Sequence, residues 1–68
     1  MIYGMIKEIA KSENLSIRSI ERDLGFGNGT LKRWDQHSPN VEKLNQVAGY
    51  LKVPIERLIY GRPKGKED

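Results

Sequence analysis

The residues best placed to do chemistry lie in one short run, GFGNGTLKRW, residues 25–34. It holds three glycines at alternate positions, then Asn28, Thr30, Lys32 and Arg33, and ends on the chain's only tryptophan, Trp34. Glycines before a helical pattern suggest a phosphate cradle. A dinucleotide fingerprint needs its third glycine at position 30, which is Thr30, and needs a strand before it. A Walker-type loop needs Lys followed by Ser or Thr after the last glycine, and Leu31-Lys32-Arg33 does not supply it. Both nucleotide readings fail. The remaining reading is a tight bend that aims the following residues outward.

Those residues suit duplex DNA. The Asn28 amide can pair with adenine through two hydrogen bonds, or can cap a helix start. Lys32, one turn on, reaches a guanine or a phosphate, or is a solvated lysine. Arg33 suits a phosphate or an ion pair within the chain. The Thr30 hydroxyl serves a phosphate or the backbone. His37, Ser38 and Asn40 follow in a loop able to bond the phosphate backbone, and equally able to act as turn and cap. Lys43 adds a cation at the start of a helix, whose free amides favour an anion. Trp34 fits the core by its spacing from Leu31.

Other chemistries find no support. The chain has one histidine and no cysteine, so a His cluster, a thiolate metal site and a Ser-His-acid grouping are all unlooked for. Glu21 and Asp23 fall on different faces of a helix and do not form an acid-base pair. We expect neither an enzyme nor a cofactor. The chain carries twelve Lys and Arg against nine Asp and Glu, a net charge of +3, which permits nucleic-acid binding without demanding it. MIYGMIKEIAK shows neither a long apolar run nor a small-residue cleavage site, so no signal peptide and no membrane span are expected.

The elements that position these groups read as helices throughout. Ile2, Ile6, Ile9 and Ala10 recur at helical spacing and predict a first helix over 2–13. Ser16 is placed to cap a second helix, with Ile17, Ile20 and Leu24 on one face and Gly25 as its stop. Phe26 plugs into the core. Gly27 or Asn28 caps a third helix that runs to about Gln36, with Leu31 and Trp34 facing inward. Asn40 caps a fourth, striped by Val41, Leu44, Val47, Ala48 and Leu51. After Val53-Pro54 a fifth turns Ile55, Leu58 and Ile59 inward and stops at Gly61. The expected fold is all-α: a compact five-helix domain over 1–61, with 62–68 a flexible polar tail. In 68 residues such a fold is marginally stable.

Two short helices joined by a glycine-bearing turn form a helix-turn-helix over 15–35, whose second helix enters the major groove. At "NLSIRSIERDLGFGNGTLKRWD" and "SPNVEKLNQVAGYLKVPIERLIYG" the chain resembles the Cro/CI-type helix-turn-helix repressors of phages and bacteria, and among them small regulators from phages of Gram-positive bacteria. The likeness runs from about Ile6 to Gly61. It implies a lambda-repressor-like fold and a sequence-specific transcriptional regulator that binds an operator as a homodimer, in the cytoplasm of a bacterial host. Ile55, Ile59, Tyr60 and Tyr50 are the candidate dimer surface. It also admits an interaction module on the same fold, an anti-repressor or antitoxin-like partner of another protein. Three positions depart from the family pattern. Ile17 stands where a phosphate-binding Gln is usual, which passes that contact to Ser16 or Arg18. Glu21 stands where a small residue is usual. Gly29 stands where the recognition helix often carries a long polar side chain, and leaves the backbone free to approach the DNA closely.

Overall fold

The computed structural model describes residues 1–61; the tail expected at 62–68 lies outside the described residues. It is all-α. Four α-helices follow in order, α1 (Ile2–Ser12), α2 (Ile17–Leu24), α3 (Val41–Leu51) and α4 (Ile55–Tyr60), with a single 3-10 helix, Lys32–Asp35, between α2 and α3. Where a third α-helix was expected, the chain makes a turn and then this one 3-10 turn. Neither Gly27 nor Asn28 caps it, and the 3-10 helix starts after Leu31 instead.

Three helices end in the same way, and local chemistry explains why. At the end of α1, Leu15 N–H reaches Ala10 O at 2.8 Å and Asn14 N–H reaches Lys11 O at 3.1 Å, with Asn14 left-handed at φ 61°. After α2, Phe26 N–H reaches Glu21 O and Gly25 N–H reaches Arg22 O, with Gly25 at φ 78°. After α3, Val53 N–H reaches Ala48 O and Lys52 N–H reaches Gly49 O, with Lys52 at φ 60°. Each pair satisfies carbonyls that a helix end leaves open, and the residue after the left-handed one is apolar. Leu15, Phe26 and Val53 therefore drop onto the core, so each helix stop also aims an anchor inward. The starts are equally local. The Ser16 hydroxyl accepts from Ser19 N–H at 3.1 Å, and Asn40 Oδ1 accepts from Lys43 N–H at 2.8 Å.

Lys52 is the least suited of the three left-handed residues, since a Cβ in that region costs about 1–2 kcal/mol. Lys52→Gly is expected to raise stability by about 0.5–1 kcal/mol, after the extra freedom glycine has in the unfolded chain. A urea titration that found Lys52→Gly less stable would show that the lysine side chain contributes more than the backbone gains.

The core comprises Ile6, Ile9 and Ala10 of α1, Ile20 of α2, Leu44, Val47, Ala48 and Leu51 of α3, Leu58 of α4, and Leu31 with Trp34 from the segment between α2 and α3. Two residues expected inside are outside. Val41 is 67% exposed at the first position of α3, and Ile59 is 43% exposed near the end of α4. A six-residue helix buries one narrow face, and Leu58 fills it.

Candidate nucleic-acid interface

The run that opened the question is built by the helix before it. Glu21 is the one buried charged residue, 3% exposed, among the described residues. Its two oxygens reach across the turn. Oε1 accepts from Gly29 N–H at 3.3 Å, and Oε2 accepts from Leu31 N–H at 3.0 Å. A buried carboxylate needs donors, and amides of a turn whose own carbonyl partners are absent need an acceptor. Each solves the other's problem. A small residue at this position would leave both amides without this partner.

The backbone from 27 to 36 then runs on bonds three residues apart, and His37 N–H closes the stretch with a four-residue bond to Arg33 O at 2.8 Å. Thr30 N–H reaches Gly27 O at 3.1 Å, Arg33 N–H reaches Thr30 O at 3.3 Å, Trp34 N–H reaches Leu31 O at 3.0 Å and Gln36 N–H reaches Arg33 O at 2.9 Å. Gly29, at φ 90°, breaks any continuous right-handed helix at that point. Leu31 and Trp34, three apart, still share one face, because a 3-10 helix repeats every three residues. Both are buried, and Phe26 packs on Trp34 with ring centroids 6.0 Å apart and planes tilted by 54°. Trp34 is core, as its spacing indicated.

The far end of this segment is tied to α1. Asp35 Oδ1 accepts from Tyr3 N–H at 3.0 Å and from the N-terminal ammonium of Met1. The ammonium's bond first, then the Tyr3 amide, hold the Asp35 carboxyl below its ordinary range against some desolvation. Asp35 thus caps α1, whose own first residue offers no capping side chain. A second tie joins α2 to α3, where the Tyr50 hydroxyl donates to Asp23 Oδ2 at 2.5 Å. That bond, with burial, raises the Tyr50 phenol above its usual range.

The candidate residues sort into four groups. Ser16 and Asn40 are helix caps, with the capping oxygen of each already engaged. Gly29 is half-buried, and its N–H points to Glu21 rather than outward, so close approach of that amide to DNA is not what the glycine provides. Arg18 and Asn28 are both exposed, and they line one open depression with Glu21, Arg22 and Phe26. Lys43 on α3 holds its ammonium 5.7 Å from the centre of the Phe26 ring. Lys32 and Arg33 are exposed on the 3-10 helix, and His37 and Ser38 on the loop after it, while Thr30 is half-buried. Among the described residues no side-chain hydrogen bond or ion pair engages Lys32, Arg33, His37 or Ser38.

Sequence reasoning passed over Arg22, Glu21 as the acceptor for the turn amides, and the Asp35 tie. Arg22 was the most legible of these, four residues after Arg18 and so on the same helix face. Among the described residues no group of three or more His, Asp or Glu is placed to hold a metal ion, and no helix is long and apolar enough to cross a membrane.

Comparison with models of protein families, with curated proteins and with solved structures finds no match to this chain.

Proposed function

We propose that this chain is a sequence-specific, double-stranded-DNA-binding transcriptional regulator of the Cro/CI helix-turn-helix kind, acting as a homodimer on a two-fold operator. The observation that carries the reading is how residues 25–35 are held. Leu31 and Trp34 inside, and the Glu21 carboxylate beneath the turn, leave Asn28, Lys32 and Arg33 outside on a fixed frame. Exposed amide and cationic side chains on a rigid frame are what base-edge and phosphate contacts require. In this reading the recognition element is the turn and the 3-10 helix together, shorter than the helix the resemblance implies.

Phosphate contacts supply most of the affinity, and base contacts supply the discrimination. Lys32→Ala is expected to weaken specific binding roughly tenfold, within the ~1–3 kcal/mol of a good base contact, with a smaller loss on random DNA. Equal loss on both would assign Lys32 to a phosphate. Selection of bound duplexes from a random pool tests the reading as a whole. A two-fold symmetric motif supports it, and a protein that binds operator-like and random DNA alike at low salt does not have this function.

One observation favours a second reading, an interaction module on the same fold. Where a recognition helix was expected, a turn with a bare Gly29 leads into a single 3-10 turn, while Val41, Ile59 and Tyr60 expose apolar surface. Capture of a host protein that persists after nuclease treatment, from a chain with no DNA preference, would favour this alternative.

A further inference from the structure

Among the described residues, the depression between α2 and the turn after it brings together two arginines that make no tie to another element. Arg18 and Arg22 stand one helical turn apart on the exposed face of α2 and line the same hollow as Asn28 and Phe26. Like charges at this spacing repel, and Arg18 lies in the first turn of α2, where the helix dipole disfavours a cation and no acidic residue offsets it. Among the described residues Arg18 has no ion pair, and Arg22 has only a 3.9 Å approach of its Nε to Asp23, on an exposed side chain. Glu21, which also lines the hollow, does not answer these charges. Its oxygens are taken by the amides of Gly29 and Leu31, and it makes no ion pair among the described residues. Lys43 holds its ammonium 5.7 Å from the centre of the Phe26 ring, a further positive charge beside a residue that lines the hollow.

We propose that this hollow is a seat for one phosphate group, with the Arg18 and Arg22 guanidinium groups as its charge and the Asn28 amide as a neutral donor. Forked guanidinium donors match phosphate oxygens better than an ammonium does. The hollow measures about 230 Å³, below the roughly 300–1,000 Å³ of sites that enclose whole small molecules, so it suits a single group carried by something larger. The inference rests on the DNA-binding reading for the source of the phosphate, a diester of the duplex backbone. It adds Arg22 to the contact set and fixes the register of α2 on the strand. A bound phosphate beside Asn28 also places that side chain at the backbone, which leaves base reading to Lys32 and Arg33.

The test uses the full chain with Arg18→Gln and Arg22→Gln, and with Lys11→Gln on α1 as a control for the same change in net charge. Binding to a random duplex is followed as salt is raised. Each seat variant is expected to lower the slope of log K against log salt by about 0.9, the release of one phosphate contact, while Lys11→Gln keeps the wild-type slope. A wild type that binds DNA, with Arg22→Gln and Lys11→Gln indistinguishable in slope, overturns the seat and leaves DNA binding standing. If the wild type binds no DNA even at low salt, the DNA reading fails by itself. Inorganic phosphate, followed through the Arg18 and Arg22 Nε–H and Asn28 amide resonances, then decides. Saturating shifts confined to those groups support an anion seat that takes free phosphate, and no shift overturns it.

Discussion

Glu21→Gln is expected to destabilise the fold by about 1–3 kcal/mol, the cost of leaving a buried donor unmet. The amide keeps one carbonyl oxygen for one of the two N–H groups and turns its own NH2 toward the other. Glu21→Ala removes both acceptors and leaves space at a 3% exposed site, so its cost is larger, about 2–4 kcal/mol. In a domain of this size that is a large share of the whole. The effect is local before it is global. In Glu21→Gln the amide protons of Gly29 and Leu31 lose protection from exchange first, and those within α1 and α3 stay protected to the global limit. Uniform loss across the chain would show that the carboxylate supports the core in general rather than the turn. Under the DNA reading the same variant has a functional signature. Freed from its carboxylate, the turn presents Asn28, Lys32 and Arg33 less rigidly, so specific binding falls more than random binding does.

How far the sequence foretold this arrangement follows from the range of each interaction. The caps at Ser16 and Asn40 and the stop at Gly25 were legible because each acts within about one turn of helix. The core faces of α1 and α3 were legible because 3.6-residue periodicity repeats over eleven residues in each. The segment after Gly25 was not. Leu31 and Trp34 are three apart, a spacing that an α-helix and a 3-10 helix share, so periodicity over two residues could not separate them. What separates them is Glu21, acting on amides eight and ten residues downstream. Such a contact has no local signature, since a glutamate on α2 reads as one more solvated charge. Asp35 escaped for the same reason, its partner amide being at Tyr3 on another helix. Val41 and Ile59 failed in the opposite direction. Their spacing fits an apolar stripe, but a core this small covers only part of it.

Gly29 tests whether the turn and the carboxylate are one device. Its φ is 90°, and a Cβ built there meets nothing within 4 Å. Space is free and backbone conformation alone is restrictive, so Gly29→Ala is expected to cost about 1–2 kcal/mol. A synthetic chain with D-alanine at the same position should lose nothing, because the mirror residue favours positive φ. Equal loss for both enantiomers would point to a contact that the free space does not show. Gly29→Gln alone supplies the long polar side chain that the resembled family often carries there, yet should bind DNA no better, since it strains the turn meant to display it. Combined with Glu21→Ala the sign of the coupling changes. The carboxylate no longer holds the amides of 29 and 31 in the turn, glutamine has good helix propensity, and residues 28–35 are released to wind as one α-helix. The double variant should therefore cost at least about 1 kcal/mol less than the two single losses together, a coupling typical of residues that share one network. Its far-UV circular dichroism should show more helix than the wild type. Strict additivity with unchanged helix content would mean that the glycine and the glutamate act separately, and that the 3-10 segment is held by Leu31, Trp34 and Asp35 alone.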